Sequence, residues 1–288
     1  MFHVLYNPLA SNKQGKANAE KIREILISEE LDFVDVTEIA DCTEYINTIP
    51  QDDSIVIAGG DGTLNNFINS VDTDNLSHKV LYFAAGSGND FMHDVLDKAE
   101  NGMIEINEYV KDLPTVTVNG ETKKFINGIG FGIDGYCCEI GDEKKKVSDK
   151  PVNYTAIAIS GLLFHFKAPN AKVTLDGVTK EYPRVWIAPT MNGRYYGGGM
   201  NVTPNQNRLN LERTVSLGVF YGKGRIKTLM VFPKIFKGEH VNHTEMFETL
   251  VGHEITVEFD RPCPLQIDGE TVKNVTSYTV KSSVLAKI

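Results

Sequence analysis

Along the first part of the chain, short apolar runs alternate with stretches of helical spacing. Phe2–Tyr6, Phe33–Thr37, Ser54–Ala58 and Val80–Ala84 read as buried strands. Between them, Lys16–Glu30 carries Ala19, Ile22, Ile25 and Leu26 at helical intervals, and Thr63–Ser70 and Asn89–Ala99 read as further helices. Strand, helix, strand, helix predicts a parallel sheet covered on both faces. After Pro114 the pattern changes. Thr115–Val118, then Asn119-Gly120, then Thr122–Phe125 is a hairpin signature, because Asn-Gly supplies the positive φ angles of a tight turn. Lys172–Leu175 followed by Asp176-Gly177 repeats it. Val185–Ala188, Val215–Phe220, Ile255–Phe259, Leu265–Ile267 and the tail Ser277–Ile288 read as more strands, with helical stretches at Val152–His165 and Arg225–Val231. The second part is therefore mostly antiparallel β.

Composition narrows the classes without naming a function. The chain has 288 residues, 41% hydrophobic and 23% charged, which excludes general disorder. That length suggests two domains. A net charge of −9 argues against nucleic acid as a bulk partner, since counterion displacement needs Lys and Arg. Cys42, Cys137, Cys138 and Cys263 form no C-x-x-C pair and suit free thiols in a reducing cytoplasm. No apolar run reaches the roughly 18–20 residues of a membrane span, and the first residues read as a strand, not a signal peptide. A cytoplasmic protein is expected.

The glycines carry the chemistry. Ser54–Ala58 runs straight into Gly59-Gly60-Asp61-Gly62-Thr63-Leu64-Asn65. Glycines let a backbone approach a ligand, and a helix start offers unpaired N–H groups to phosphate. Asp61 could hold a metal or meet a reacting hydroxyl; a plain capped turn suits this loop alone equally well. A second such loop, Gly86-Ser87-Gly88-Asn89-Asp90-Phe91, follows the Val80–Ala84 strand, and Asn7-Pro8 with Ser11 and Gly15 follows the first strand. Three polar turns on one edge of a parallel sheet favour nucleotide or phosphate binding over coincidence. Neither a Walker A sequence nor a Rossmann G-x-G-x-x-G is present.

These segments, in this order, resemble the diacylglycerol kinase catalytic family of bacterial lipid kinases, relatives of the sphingosine kinases. The resemblance spans nearly the whole chain. It rests on Asn7-Pro8, Val36-Thr37, the two glycine loops, Asn127–Asp134, Tyr195–Gly199 with Pro204, and Asp268-Gly269-Glu270. It implies an N-terminal three-layer α/β domain with a parallel sheet, a C-terminal antiparallel β-sandwich and a nucleotide cleft between them. The expected division is 1–114 plus 277–288 against 115–276, the tail crossing back. ATP with Mg2+ is the implied co-substrate. Asn7, Thr37, Gly59, Gly60, Asp61, Gly62, Thr63, Asn65, Gly86, Ser87, Gly88 and Asn89 are the implied nucleotide residues. Glu270 is the implied base, with Asp61 the second catalytic candidate.

Two departures stand out. Asn66 occupies a position where glutamate is usual in the family. The segment after Pro204 lacks the Asp-Gly of the family's structural magnesium site, leaving Asn207, Asn210 and Glu212 as oxygen donors, of which Asn210 and Glu212 are the candidate ligands. A lipid acceptor also requires a membrane surface. From Tyr221 to Gly238 there are five cations, Lys223, Arg225, Lys227, Lys234 and Lys237, interleaved with apolar residues and without an acid. This suits either peripheral contact with the inner membrane face or a helix packed on the sandwich. The leading expectation is an ATP-dependent kinase of a diacylglycerol-like or sphingoid hydroxyl in phospholipid metabolism. A kinase of a soluble acceptor such as NAD and a catalytically weak regulatory homologue stay open, as does a homodimer.

Overall fold

The computed structural model describes residues 1–86, 88–147 and 152–286. The chain divides into two compact units, Met1–Leu113 and Pro114–Ile288.

In the first unit, β1 (Phe2–Tyr6), β2 (Leu31–Asp35), β3 (Ser54–Gly59), β4 (Lys79–Ala84) and β5 (Met103–Glu105) form one sheet in the order β2-β1-β3-β4-β5. The first four strands are parallel; β5 adds an antiparallel edge. Both faces are covered, as continuous apolar strands require. On one face Val4, Tyr6, Val56 and Ala58 pack with Ala19 and Ile22 of the segment following β1. The helix Asp61–Ser70 packs on β3 and buries Leu64, Phe67 and Ile68.

Local chemistry trims the expected elements. The helix expected over Lys16–Glu30 is an α-helix at Gly15–Glu20 that tightens to 3-10 over Lys21–Glu24. β2 stops at Asp35, because the Asp35 carboxylate accepts the Thr37 N–H and draws Val36–Glu38 into a 3-10 turn. The helix expected over Asn89–Ala99 is α-helical over Asp90–Val95 and 3-10 over Leu96–Lys98.

The second unit is the antiparallel sandwich. Its strands are β6 (Thr115–Val118), β7 (Glu121–Lys124), β8 (Gly128–Phe131), β9 (Ala171–Leu175), β10 (Val178–Tyr182), β11 (Val185–Ile187), β12 (Thr190–Met191), β13 (Tyr195–Tyr196), β14 (Met200–Asn201), β15 (Val215–Tyr221), β16 (Phe247–Gly252), β17 (Glu254–Ile267) and β18 (Glu270–Lys281). All but β13 and β14 belong to one hydrogen-bonded sheet. The long strand β17 makes the fold possible. Its first half pairs with β9 and its last residues with β8, with register shifts against β18 between Glu258 and Leu265. Pro262 and Pro264 lie in that stretch and cannot donate to a ladder, so the strand bends there. Phe131 stacks on Phe259 at 3.8 Å inside the resulting core.

The tail corrects an expectation. Residues 277–281 do not return to the first unit. They complete β18, where Tyr278 pairs with Val257 on one side and Val118 on the other. Tyr278 and Val280 are buried, and the Tyr278 hydroxyl donates to the Ala188 carbonyl at 2.9 Å. Those apolar and hydrogen-bonding demands are met within the sandwich.

Candidate active site

The carboxyl ends of β1, β2 and β3 surround a cleft of about 370 Å³. The connection after β1 runs to β2 on one side and that after β3 runs to β4 on the other, so the chain reverses direction between β1 and β3, which is where open α/β sheets bind ligands. Asn7, Thr37 and Thr63 line this cleft together, with Asn66 and Asp41 beside them. Each is placed by its own local bond. Asn7 Oδ1 accepts the Leu9 N–H at 2.9 Å and turns the chain out of β1. Gly15 lets the next helix begin against that turn, since a Cβ there would lie 1.8 Å from the Asn7 carbonyl oxygen. The Thr37 N–H and hydroxyl donate to Asp35 Oδ1 at 2.8 and 2.7 Å.

The two glycine loops meet. A Cβ on Gly86 would lie 2.3 Å from the Gly60 Cα, so both positions need glycine for backbone to touch backbone. The Ala85 N–H and the Tyr82 hydroxyl both donate to the Gly59 carbonyl, at 2.8 and 3.1 Å. Asp61 fastens the pair. Its Oδ2 accepts the Asp90 N–H at 2.8 Å and its Oδ1 the Phe91 N–H at 3.0 Å. Asp61 is therefore the cap of the second helix, 29 residues away. That cap was not foreseen, because the sequence places the two partners far apart.

The consequence differs for the two helix starts. The Asp90–Val95 start has two N–H groups filled by Asp61. The Asp61–Ser70 start has Gly60 at its cap and no side-chain cap bond. Gly62 there is exposed, and a Cβ on it would meet nothing within 4 Å. The helix start that lacks a side-chain cap, the kind of position that can take an anion, is thus the one at Gly60–Gly62. Asn89, at φ 48°, donates from Nδ2 to the Gly86 carbonyl at 2.8 Å. Its buried Oδ1 has no hydrogen-bond partner among the described residues. Gly88 packs over the Asp61 carboxylate, a Cβ there lying 3.3 Å from Oδ2. Asn65 differs from its neighbours: it is buried inside the helix, 4% exposed, and does not line the cleft. Ser87 lies outside the described residues.

In the second unit, Asp268 and Gly269 both have positive φ, 46° and 95°, and form the two-residue turn between β17 and β18. The buried Asp268 carboxylate accepts the N–H groups of Ile126, Asn127 and Gly128 at 2.7, 2.9 and 2.9 Å. Gln266 Oε1 accepts the Gly269 N–H at 2.6 Å. The turn is rigidly held, and Glu270 leaves it half-exposed, 3.9 Å from Lys123. An exposed pair of that kind holds a side chain weakly, so the carboxylate is available to a ligand. Two other motif segments also meet: the Tyr196 hydroxyl donates to Asp134 Oδ2 at 2.8 Å. Burial pushes the Asp134 carboxyl up to about 6, against the opposing hydrogen bonds from Tyr196 and the Gly135 N–H.

The expected magnesium ligands do not fit a metal. Asn210 Oδ1 accepts the Thr214 N–H and hydroxyl at 2.9 and 3.2 Å, and its Nδ2 donates to the Asn207 and Thr214 carbonyls at 2.8 and 3.0 Å. Glu212 is exposed. Among the described residues, no three His, Cys, Asp or Glu side chains gather as a metal would need. The site at Asn210 and Glu212 is therefore withdrawn. The loop is closed by amide hydrogen bonds in place of ligand bonds.

A family model described as diacylglycerol kinase catalytic domain matches residues 1–124, and one described as YegS C-terminal NAD kinase beta sandwich-like domain matches residues 127–285. The chain belongs to the diacylglycerol kinase catalytic-domain family. It is 26% identical to YtlR of Bacillus subtilis (strain 168), provisionally named a lipid kinase, over 97% of this chain and 96% of that protein. It is 24% identical to a diacylglycerol kinase of Mycobacterium tuberculosis (strain ATCC 25618 / H37Rv), over 74% of this chain and 72% of the other. The solved structure of a diacylglycerol kinase from Bacillus anthracis (str. Sterne) shares the fold, with a TM-score of 0.63 and 20% identity over 98% of this chain and 94% of that one. A diacylglycerol kinase catalytic domain is a phosphotransferase acting on an alcohol group, and this chain has that chemistry.

Two outcomes follow for this diacylglycerol kinase domain. Gly86→Ala forces a methyl into the Gly60 backbone, so it lowers stability by about 1–3 kcal/mol in denaturant unfolding, whereas Gly62→Ala is neutral or stabilising. Asp134 binds its proton more tightly folded than unfolded. Its contribution to stability is complete below about pH 4 and is lost as pH rises through about 6. Asp134→Asn therefore gains on the wild type by about 3 kcal/mol between pH 4 and pH 7.5, read as the difference in unfolding free energy across that range.

Proposed function

We propose that this protein is an ATP-dependent lipid kinase, which transfers the γ-phosphoryl group of ATP to the hydroxyl of a diacylglycerol-like or sphingoid lipid. The observation that carries the lipid part is an apolar and basic face on the second unit. Ile226 and Met230, 74% and 62% exposed, lie one helical turn apart in the helix Arg225–Val231, and Phe236 is also exposed. Lys223, Lys227, Lys234 and Lys237 belong to the same segment; Lys234 and Lys237 are exposed, while Lys227 pairs with Glu245 at 3.5 Å and Lys234 Nζ lies 2.9 Å from His243 Nε2. Phe164, 72% exposed, stands on the turn Gly161–His165 that packs against this helix. Large apolar side chains left in water beside cations suit an anionic bilayer surface. Arg225 is not part of that surface. Its guanidinium donates to the carbonyls of Gly161, Leu162 and Phe166 and lies 5.6 Å over the Trp186 ring. It fastens the two exposed elements together.

On this reading the nucleoside sits in the cleft lined by Asn7, Thr37 and Thr63, and the phosphates meet the open helix start at Gly60–Gly62. Magnesium bound with the nucleotide would offset charge on the phosphates. Asp61 acts by holding the two loops in register. Glu270 is the base: the lipid hydroxyl loses its proton to the carboxylate as its oxygen bonds to the γ-phosphorus and ADP leaves. Phosphoryl transfer asks mainly for positioning, which the clamped turn supplies.

The test is a labelled-ATP screen over diacylglycerol, phosphatidylglycerol, sphingosine, undecaprenol and NAD, the lipids in mixed micelles with magnesium. A phosphorylated lipid is expected, with Glu270→Gln lowering kcat about 1,000-fold while ATP binding persists. Product from NAD alone, or wild-type turnover in Glu270→Gln, overturns the assignment. In vesicle sedimentation, Ile226→Asp combined with Met230→Asp is expected to release the protein from anionic vesicles by at least about tenfold in affinity. Unchanged binding removes this face as the contact.

A further inference from the structure

The loop between Pro204 and β15 has a polar inner side. Gln206 and Arg208 are buried, while Asn205 and Asn207 are exposed. Gln206 Nε2 donates to the Asn192 and Thr214 carbonyls at 3.3 and 2.9 Å, and Gln206 Oε1 accepts from the Ser216 hydroxyl. Arg208, 6% exposed, sends one guanidinium nitrogen to the Ile126 carbonyl at 3.0 Å and another to Asn127 Oδ1 at 3.2 Å. These are the residues whose N–H groups the buried Asp268 carboxylate accepts. A buried cation therefore gathers the oxygens of this short segment, and a buried anion takes its N–H groups.

We propose that Arg208 is the resident cation of this loop, standing where a divalent metal would otherwise draw oxygens from separate segments. Through Ile126–Gly128 and Asp268 it positions the turn that presents Glu270. The physical case is one of donors and charge. A guanidinium carries five N–H donors in a fixed plane and keeps its charge when buried. A buried charge is tolerated when oxygens and an opposite charge accompany it: the segment brings the Ile126 carbonyl and Asn127 Oδ1, and its N–H groups hold the Asp268 carboxylate. A divalent ion needs several anionic or carbonyl oxygens at one point, and Asn210 has spent its amide on Asn207 and Thr214. Arg208 touches no substrate and is a positioning residue. Its effect on turnover rests on Glu270 being the base; its replacement of the metal does not.

The experiment has an arm for each half. Nucleotide-free wild-type protein is melted in EDTA and in rising magnesium chloride, with potassium chloride matched for ionic strength. An unchanged Tm is expected; a saturable rise specific to magnesium overturns the metal-free loop. Arg208→Lys keeps the charge but loses the planar fork. Hydrogen exchange at Ile126–Gly128 and Gly269 is expected to rise at least about tenfold in this variant, and wild-type exchange there overturns the clamp. On whichever acceptor the wild type phosphorylates, Arg208→Met is expected to lower kcat about 100-fold with the KM for ATP unchanged, Arg208→Lys recovering part. Wild-type kcat in Arg208→Met overturns the positioning role. If Arg208→Met does not fold, Arg208→Lys answers alone. A protein inactive on every acceptor still answers through melting and exchange, so failure of the kinase reading is told apart from failure of this one.

Discussion

The first unit depends on one carboxylate. Asp61 accepts two backbone N–H groups from the start of another helix, and by doing so it joins loops that follow different strands. It adds to the bonds that the Gly59 carbonyl accepts from the Ala85 N–H and the Tyr82 hydroxyl, which also keep Gly60 and Gly86 in backbone contact. The bond also decides polarity. It gives the second helix start a protein anion, while the first start has Gly60 at its cap and no side-chain cap bond. Two glycine-rich turns that look alike in sequence are therefore capped differently.

The second unit uses the same device. Asp268 also precedes a glycine and also spends its carboxylate, here a buried one, on backbone N–H groups. In both places the conspicuous aspartate is a fastener. An exposed residue follows each within two positions: Gly62 in the first unit, Glu270 in the second. Charge-assisted bonds to backbone N–H are strong and geometrically demanding. They suit residues that hold a loop still while something else reacts.

Much of the fold was legible in the chain because strand burial is a local property. Phe2–Tyr6, Ser54–Ala58 and Val80–Ala84 carry their apolar runs openly, and Asn119-Gly120 and Asp176-Gly177 declare their turns. The glycine loops were legible for the same reason. Asp61's partners were not, since hydrogen bonding across 29 residues leaves no spacing rule to read. Gln206 and Arg208 were not legible, because a buried glutamine or arginine resembles a surface one in sequence. Arg225 was misplaced by that same ambiguity: a cation among apolar residues reads as interfacial, yet its N–H groups cap the carbonyls of a neighbouring turn. The tail looked free to cross back because a strand's sequence does not name its neighbour.

The shared strand has a thermodynamic consequence. β17 contributes to both layers of the sandwich through the bend at Pro262 and Pro264, and β18 follows it along most of that length. Loss of β17 therefore takes a ladder partner from β8 and from β9 at once, which couples two strands that lie far apart in sequence.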